Sequence, residues 1–158
     1  MFRKMRREKQ QLPYDTCQEI LMRGTSGVLA LQGDNGYPYA IPISYTLVRD
    51  EIIFHCAKEG HKIDAIRHCD KASFCVIDQD VVIPEKYTTA YRSVIVFGTI
   101  YIVEDDNAKY KAIDMLAEKY RPGFYEERKE EIEKGFPGFS IVKLHIEHMT
   151  GKESKYKV

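Results

Sequence analysis

The sequence has no long hydrophobic segment, no net charge and few cysteines. None of its apolar segments approaches the roughly 20 residues of a membrane-spanning helix, and the basic N-terminus, MFRKMRREKQQ, lacks the apolar core of a signal peptide. Lysine and arginine together number 24, as do aspartate and glutamate, so no overall field attracts nucleic acid. These absences predict a cytoplasmic protein that binds neither membranes nor nucleic acid.

The cysteines give no sign of a disulfide framework or a metal site. There are four, at Cys17, Cys56, Cys69 and Cys75, and none forms a CxxC pair. Cys56 and Cys75 lie in apolar, strand-like segments where a buried thiol behaves as a small hydrophobic side chain. Reduced thiols are therefore predicted, as is usual for a cytoplasmic protein.

Several common catalytic and cofactor motifs are also missing. The sequence contains no GxGxxG, Walker A, GxSxG or HExxH pattern, which are the signatures of dinucleotide folds, P-loop proteins, α/β-hydrolases and zincins. His145 and His148 lie in an alternating, strand-like segment, where an offset of three residues predicts side chains on opposite faces. No metal site is therefore predicted.

The pattern that remains predicts one folded domain over residues 1–158, with residues 1–12 as a basic N-terminal arm. Of the 158 residues, 44% are hydrophobic and 30% charged, as in ordinary globular proteins. Capping and periodicity predict helices over residues 15–24, 61–68, 104–123 and 126–134, with Asp15 capping the first and the last one solvated. Apolar runs predict six strands, at residues 27–31, 39–48, 51–57, 71–78, 93–104 and 139–149, with residues 81–92 irregular. Six strands joined by hairpins or short helices favour an antiparallel barrel, because closure removes exposed edges.

One predicted strand, YAIPISYTLV, has faces of very different size. The large side chains of Tyr39, Ile41 and Ile43 point to one face, whereas Ala40, Pro42 and Ser44 point to the other. Pro42 inside the strand predicts a sheet edge or a bulge. The small face leaves room for a flat molecule close to the backbone; a solvated edge explains it equally well.

The stretch AKEGHKIDAI predicts a site for an anion. It passes from the end of a strand into a helix, whose first N–H groups and dipole favour negative charge. Gly60 permits close approach to the backbone, and Lys58, His61 and Lys62 add side-chain donors. Cations are unfavourable in the first turn of a helix unless an anion compensates them, so a phosphate group is the predicted ligand.

Four segments, taken in chain order, carry a family resemblance. They read TSGVLALQGDNGYPYAIPISY, IIFHCAKEGHKIDAIR, YRSVIVFGTIYIVEDD and HIEHMTGK. In order and spacing they resemble the flavin-binding split-barrel family of pyridoxamine 5′-phosphate oxidase-like proteins, and within it the nitroimidazole-resistance branch. The resemblance implies a mainly β fold, a six-stranded antiparallel split barrel of Greek-key type with flanking α-helices. It also implies FMN bound at the subunit interface of a homodimer.

The same resemblance implies roles for individual residues. The backbone from Tyr39 to Ser44 would lie along the isoalloxazine ring; the residues concerned are Tyr39, Ala40, Ile41, Pro42 and Ser44. The ribityl phosphate would be held where the next strand meets its helix, by His55, Cys56, Ala57, Lys58, His61 and Lys62. Arg92 and Ser93 match the segment that reaches the flavin from the other subunit.

For activity, the resemblance implies a flavin-dependent oxidoreductase of the nitroimidazole reductase type. It places a histidine near the flavin, with His61 as the catalytic candidate and His55 as the second choice. The residues that true oxidases use to hold pyridoxal phosphate are not recognisable in HIEHMTGKESKYKV, so oxidation of vitamin B6 is not expected. The alternative is a non-catalytic FMN-binding carrier or sensor module, which would need the same cofactor contacts.

Overall fold

The protein, described here by a computed structural model over residues 1–156, is built from seven strands and four α-helices. The strands are β1 (Ser26–Gln32), β2 (Pro38–Ser44), β3 (Thr46–Val48), β4 (Glu51–Ala57), β5 (Lys71–Ile83), β6 (Thr88–Ile102) and β7 (Phe139–Glu153). The helices are α1 (Tyr14–Arg23), α2 (His61–His68), α3 (Asp106–Tyr120) and α4 (Tyr125–Gly135). Short 3₁₀ turns connect several of them. Among these described residues, no helix is both long enough and apolar enough to span a membrane.

All seven strands belong to one antiparallel sheet in the order β2-β1-β5-β6-β7-β4-β3. The predicted mainly β, antiparallel barrel with flanking helices is thus confirmed. The number of strands is seven rather than six, because the predicted strand at residues 39–48 is divided at Tyr45 into β2 and β3. Residues 81–92, predicted to be irregular, instead complete β5, turn at residues 84–87 and begin β6.

Tyr45 closes the sheet on itself. It alone separates β2 from β3, although these strands lie at opposite ends of the sheet, so the sheet must curl until its two edges meet there. The Tyr45 side chain is fully buried, and its hydroxyl donates to the carbonyl of Leu21 at 2.7 Å. The Tyr45 N–H donates to the hydroxyl of Tyr120, the last residue of α3, at 3.0 Å. The N–H bond replaces a ladder partner at the seam and anchors α3 beside it, whereas the hydroxyl bond joins the seam to α1.

Two apolar clusters lie on opposite sides of the sheet. The barrel interior is filled by side chains such as Phe54 and Phe74, and α1 contributes Ile20 and Leu21. The second cluster forms on the outer surface of β4 and β7, where α3 and α4 pack; it contains Ile53, Ala112, Ile113, Leu116, Ile132 and Ile141. The α3–α4 pair therefore covers the outside of the same strand, β4, that leads into the AKEGHK segment.

Two predictions about the helices were wrong: that Asp15 caps α1, and that the charged helix α4 is solvated. Asp15 lies inside the first turn of α1, and the helix begins after Pro13 without a side-chain cap. The charged helix α4 is not wholly solvated, because Ile132 is buried and the Arg128 guanidinium forms ion pairs with Asp114, at 2.7 Å, and with Glu118 on α3. Interhelical ion pairing thus accounts for part of the charge in α4.

A β-bulge changes the expected orientation of the two C-terminal histidines. Phe97 pairs with His148 and Gly98 with Ile146, which leaves Glu147 as an extra residue in β7. Ile146 and Met149 both pack against the barrel core, so His145 and His148 both lie on the outer surface. The prediction of opposite faces was wrong because strict alternation takes no account of a bulge. All four cysteines, which lie within the described part of the chain, are free thiols.

Candidate functional site

The junction of β4 with α2 has the geometry of an anion site. α2 begins at His61 after Gly60, whose φ of 113° is available to glycine at little cost, and no side chain caps the helix. The first N–H groups of α2 are therefore free of side-chain partners and can meet a negative group. Lys58 and His61 are exposed beside them, and Lys62 is half-buried.

A third lysine extends this cationic cluster from outside the segment. Lys109 on α3 is only 7% exposed, and its ammonium group donates to the carbonyl of Phe136 at 2.6 Å. It lies 4.1 Å and 4.4 Å from the ring centroids of Phe136 and Phe139. Phe139 pairs with Ala57 in the β4–β7 ladder, which places Lys109 close to the end of β4.

The charges of these lysines are not neutralised within the described residues. Within residues 1–156, no ion pair is formed by Lys58, Lys62 or Lys109. Burial, together with the positive charge of Lys58, lowers the pKa of Lys109, while Asp106 acts in the opposite direction. Lys58 thus lies near the buried ammonium group of Lys109, close to the end of β4, where the sequence predicts a phosphate.

His61 also connects α2 to the β1–β2 hairpin. Its ring stacks on Tyr39, with 4.0 Å between centroids and 17° between ring planes, and its Nε2 lies 3.6 Å from a carboxylate oxygen of Asp34. The two contacts join the hairpin to the first residue of α2. The carboxylate of Asp34 is therefore the anion that faces His61 within this chain.

The small face predicted on residues 39–48 is present and exposed. Ala40, Pro42 and Ser44 point outward from β2, which forms one edge of the sheet. The side chains of Tyr39 and Ile41 pack against the barrel core instead, so these two residues face the outside only through their backbone. Pro42 lies on an edge strand, as its missing N–H requires.

His55 joins the small face to the helices. It points outward from β4 and lines, with Ser44 of β2 and Ile113, Ala117 and Tyr120 of α3, a groove of about 250 Å³. Partial burial, and secondarily the positive charge of Lys62, lowers the pKa of His55. Its imidazole is therefore neutral near pH 7, with one nitrogen able to donate and the other to accept.

The two residues between His55 and the lysines differ in orientation. The Cys56 side chain packs against the barrel core, and burial raises the pKa of its thiol, a shift that Lys62 partly opposes. Ala57 is exposed. Any contact that Cys56 makes with a ligand must therefore come from its backbone, whereas Ala57 leaves space above the strand.

Arg92 and Ser93 lie on a different part of the surface. A bulge at Asp78 in β5 lets its carboxylate pair with Arg23, at 2.7 Å, and with the Nε of Arg92, at 2.9 Å. Ser93 lines a cavity of about 480 Å³ between β6, β7 and the N-terminal residues 1–5. Within one chain, the structure therefore does not bring these two residues together with His55 and Ser44.

Sequence reasoning missed the contribution of α3 to the site. Lys109, Ile113, Ala117 and Tyr120 all come from this helix, and none belongs to a motif. Lys109 precedes Ala112, Ile113 and Leu116 by three, four and seven residues, so it stands on the apolar stripe of the helix. The position of Lys109 on this apolar stripe is the sequence feature from which its burial could have been predicted.

Comparison with known proteins gives one family and a set of similar folds. The family model described as pyridoxamine 5′-phosphate oxidase matches residues 13–153. No curated protein matches the chain. A candidate 5-nitroimidazole antibiotic resistance protein from Bacteroides thetaiotaomicron is 18% identical, with a TM-score of 0.75, over 90% of this chain and 86% of its own.

Two further solved structures share the fold. The FAD and heme binding protein from Mycobacterium smegmatis is 24% identical, with a TM-score of 0.77, over 94% of this chain and 75% of its own. A flavocytochrome from Azotobacter vinelandii is 18% identical, with a TM-score of 0.79, over 97% of this chain and 73% of its own. The family match covers most of the chain and agrees with the observed sheet, so the protein belongs to the pyridoxamine 5′-phosphate oxidase-like family.

Proposed function

We propose that this protein binds FMN and acts as a flavin-dependent oxidoreductase. The observation that carries the proposal is the uncapped N-terminus of α2 with Lys58, Lys62 and Lys109 on the elements around it, none of them in an ion pair within residues 1–156, beside the exposed small face of β2. A phosphate with a charge near −2 neutralises such a cluster, and the small face accepts a flat ring. The solved structures of a FAD and heme binding protein and of a flavocytochrome with the same fold support a flavin ligand.

The residues present fit this cofactor. Lys58, His61 and Lys62 would hold the phosphate, with Lys109 as a fixed cation behind them. The backbone along Ala40 to Ser44 would face the ring. Bound flavin supplies the electron-transfer chemistry, and the protein supplies position and electrostatics. Of the two histidines, His55 faces the groove beside the ring, whereas His61 is stacked on Tyr39, so His55 becomes the better candidate to contact a substrate.

Spectroscopy and turnover test the proposal in two stages. The purified protein is expected to be yellow, or to become so with FMN, and to release FMN on denaturation. The loaded protein is then expected to be reduced by NADH or NADPH and to reduce a nitroaromatic or quinone acceptor. A colourless protein that does not bind added FMN contradicts the whole proposal. A Soret band without flavin would indicate haem in the cleft instead. If the flavin-loaded protein transfers no electrons to any of these acceptors, the result would favour the alternative, a non-catalytic carrier or sensor module.

We also propose that the functional form is a homodimer whose interface is the outer face of the sheet. Val28, Ile77, Ile95 and Phe97 point outward there and are between 38% and 65% exposed. Val28, Cys75 and Ile95 follow one another across neighbouring strands, so the patch is continuous. Apolar patches of this kind on a folded protein commonly mark interfaces. If a second copy packs against this patch, Arg92 and Ser93 of each subunit would lie near the flavin of the other subunit.

Ile95→Lys is expected to convert the dimer to a monomer and to weaken FMN binding. The substitution places a charge in the middle of the apolar patch, where an interface would desolvate it without a partner. The measurements are mass by sedimentation and FMN affinity by titration. Met22→Lys makes the same change on the exposed side of α1 and is expected to alter neither. A wild-type monomer with tight FMN binding would contradict the shared site.

A further inference from the structure

The basic N-terminal arm, residues 1–12, is held against β7 at its C-terminal end. The Leu12 N–H donates to the carbonyl of Gly151 at 3.0 Å, and Gln11 forms a β-bridge with Lys152. Residues 1–5 lie over the outer surface of β6 and β7, and with these strands they form the cavity of about 480 Å³ that Ser93 lines. We call this space the arm cavity.

The floor of the arm cavity changes from polar to aromatic along the two strands. It consists of three cross-strand pairs of β6 and β7: Ser93 with Lys152, Ile95 with Thr150, and Phe97 with His148. Four residues separate the first pair from the last, so the two ends lie about 13 Å apart. At the aromatic end, the ring of Phe2 from the arm stacks on His148, with 4.5 Å between centroids, and lies 5.8 Å from Phe97.

The charges that line the arm cavity are of one sign. Arg3, Lys4 and Lys152 line it, whereas no carboxylate of the described residues does. None of these three cations forms an ion pair within residues 1–156. The adjoining recess beneath the arm contains one carboxylate, that of Glu8. In a chain with equal numbers of acidic and basic residues, such a local excess favours a negatively charged ligand.

Hydrogen-bond donors are available beside these cations. The side chains of Ser93, Thr150 and Lys152 are half-buried in the floor. Neither hydroxyl has a side-chain hydrogen bond to any of residues 1–156. The Lys152 ammonium group lies 5.1 Å from the ring centroid of Tyr91. Hydroxyl and ammonium donors together suit the oxygens of a carboxylate or phosphate.

We propose that the arm cavity binds a small amphiphilic anion, with its charged group at the Lys152 end and its apolar body at the Phe97 end. The site goes beyond the proposed flavin function, because it is formed within one chain and needs no flavin. Ile95 and Phe97 border both this cavity and the proposed dimer patch. The patch extends from them towards β5 and β1, and the cavity extends towards β7, so a ligand and a second copy would occupy neighbouring parts of the outer face.

Calorimetry with three probes tests the two halves of the ligand. 4-Phenylbutyrate has both an apolar ring and a charge, 4-phenylbutan-1-ol has the ring without the charge, and butyrate has the charge without the ring. Wild-type protein is expected to bind 4-phenylbutyrate at least about tenfold more tightly than either of the others, because each lacks one set of contacts. Equal affinity for 4-phenylbutyrate and either of the other probes, or no binding of 4-phenylbutyrate, overturns the proposal.

Removal of one charge locates the binding site. Lys152→Met keeps the length of the side chain and is expected to weaken 4-phenylbutyrate binding by about tenfold or more, while 4-phenylbutan-1-ol binding stays unchanged. Arg3→Met is expected to act in the same direction and replaces it should Lys152→Met impair folding. The control is Lys86→Met, which removes an exposed lysine whose ammonium group also lies over a tyrosine, 5.4 Å from the ring centroid of Tyr156. It is expected to change neither affinity.

Three further outcomes overturn the inference. If Lys152→Met changes neither affinity, the anion binds elsewhere. If it weakens the acid and the alcohol equally, Lys152 acts through packing and the cavity does not select a charge. If saturating FMN prevents 4-phenylbutyrate binding, the cavity is part of the flavin site. The proposed function fails separately, by absence of FMN binding, and the measurements on flavin-free protein then still test the arm cavity.

Discussion

Lys62→Met is expected to weaken FMN binding by about 1.5–3 kcal/mol, the usual contribution of a hydrogen bond to a charged group. Methionine keeps the length of the side chain but removes the charge from the first turn of α2. The dissociation constant should rise by about 10- to 150-fold, as measured by titrating the flavin-free protein with FMN. Riboflavin, which has the ring but no phosphate, should bind wild-type and variant protein equally.

The exposed face of α3 provides a matched control for this change. Lys111→Met removes the same charge two residues from Lys109 but on the solvated side of the helix, and FMN affinity is expected to stay within about twofold of wild type. Lys109→Met should act in the same direction as Lys62→Met. Unchanged FMN affinity in both Lys62→Met and His61→Ala would place the phosphate elsewhere.

Gly98→Ala is expected to give the largest loss of stability among single-methyl additions to this chain. A Cβ atom at Gly98 would lie 1.9 Å from the carbonyl oxygen of His145 and 2.9 Å from its carbonyl carbon. Both atoms belong to backbone that the β6–β7 ladder holds in place at the bulge, so they cannot move aside as a flexible side chain would. We expect a destabilisation of about 3 kcal/mol or more, measured as a fall in the urea midpoint.

Gly135→Ala adds the same methyl group where there is room for it. Nothing lies within 4 Å of its Cβ position, and the residue has ordinary helical angles, φ −87° and ψ −12°. Its expected effect is neutral or stabilising by up to about 1 kcal/mol, because alanine loses less conformational freedom on folding. Equal stability of the two variants would mean that the β6–β7 ladder can open at the bulge without cost.

Elements set by local chemistry could be predicted from the sequence, and those set by distant partners could not. β4 and α2 begin and end at the predicted residues, because Gly60 and the change from apolar run to helical spacing are local signals. The division of residues 39–48 at Tyr45 was not predictable, since the alternation of large and small side chains continues through it. The break depends on the hydrogen bonds that Tyr45 donates to the carbonyl of Leu21 and to the hydroxyl of Tyr120, two residues that lie far away in the chain.

The candidate site also contains parts that local sequence could predict and parts that depend on distant residues. The cationic segment with Lys58, His61 and Lys62 could be located from the sequence, because unfavourable charge in a first helical turn is visible in a few consecutive residues, and its role in holding a phosphate stays a prediction. The groove beside His55 could not be predicted, because α3 and α4 reach the outer face of β4 only through the packing of Ile113 and Ile132 against Ile53 and Ile141. The roles predicted for Arg92 and Ser93 stay predictions, because they concern a second copy of the chain.

The place of β7 in the sheet has a consequence for the order in which the chain can assemble. β7 is the last strand in the sequence, yet it lies between β6 and β4. A nascent chain that ends before residue 139 can pair β1, β2, β5 and β6, but β4 and β6 then each present an open edge, and the outer surface of β4 lacks Ile141. Such edges are prone to pair with other chains. The nascent chain therefore stays prone to aggregation until β7 leaves the ribosome and inserts between β4 and β6.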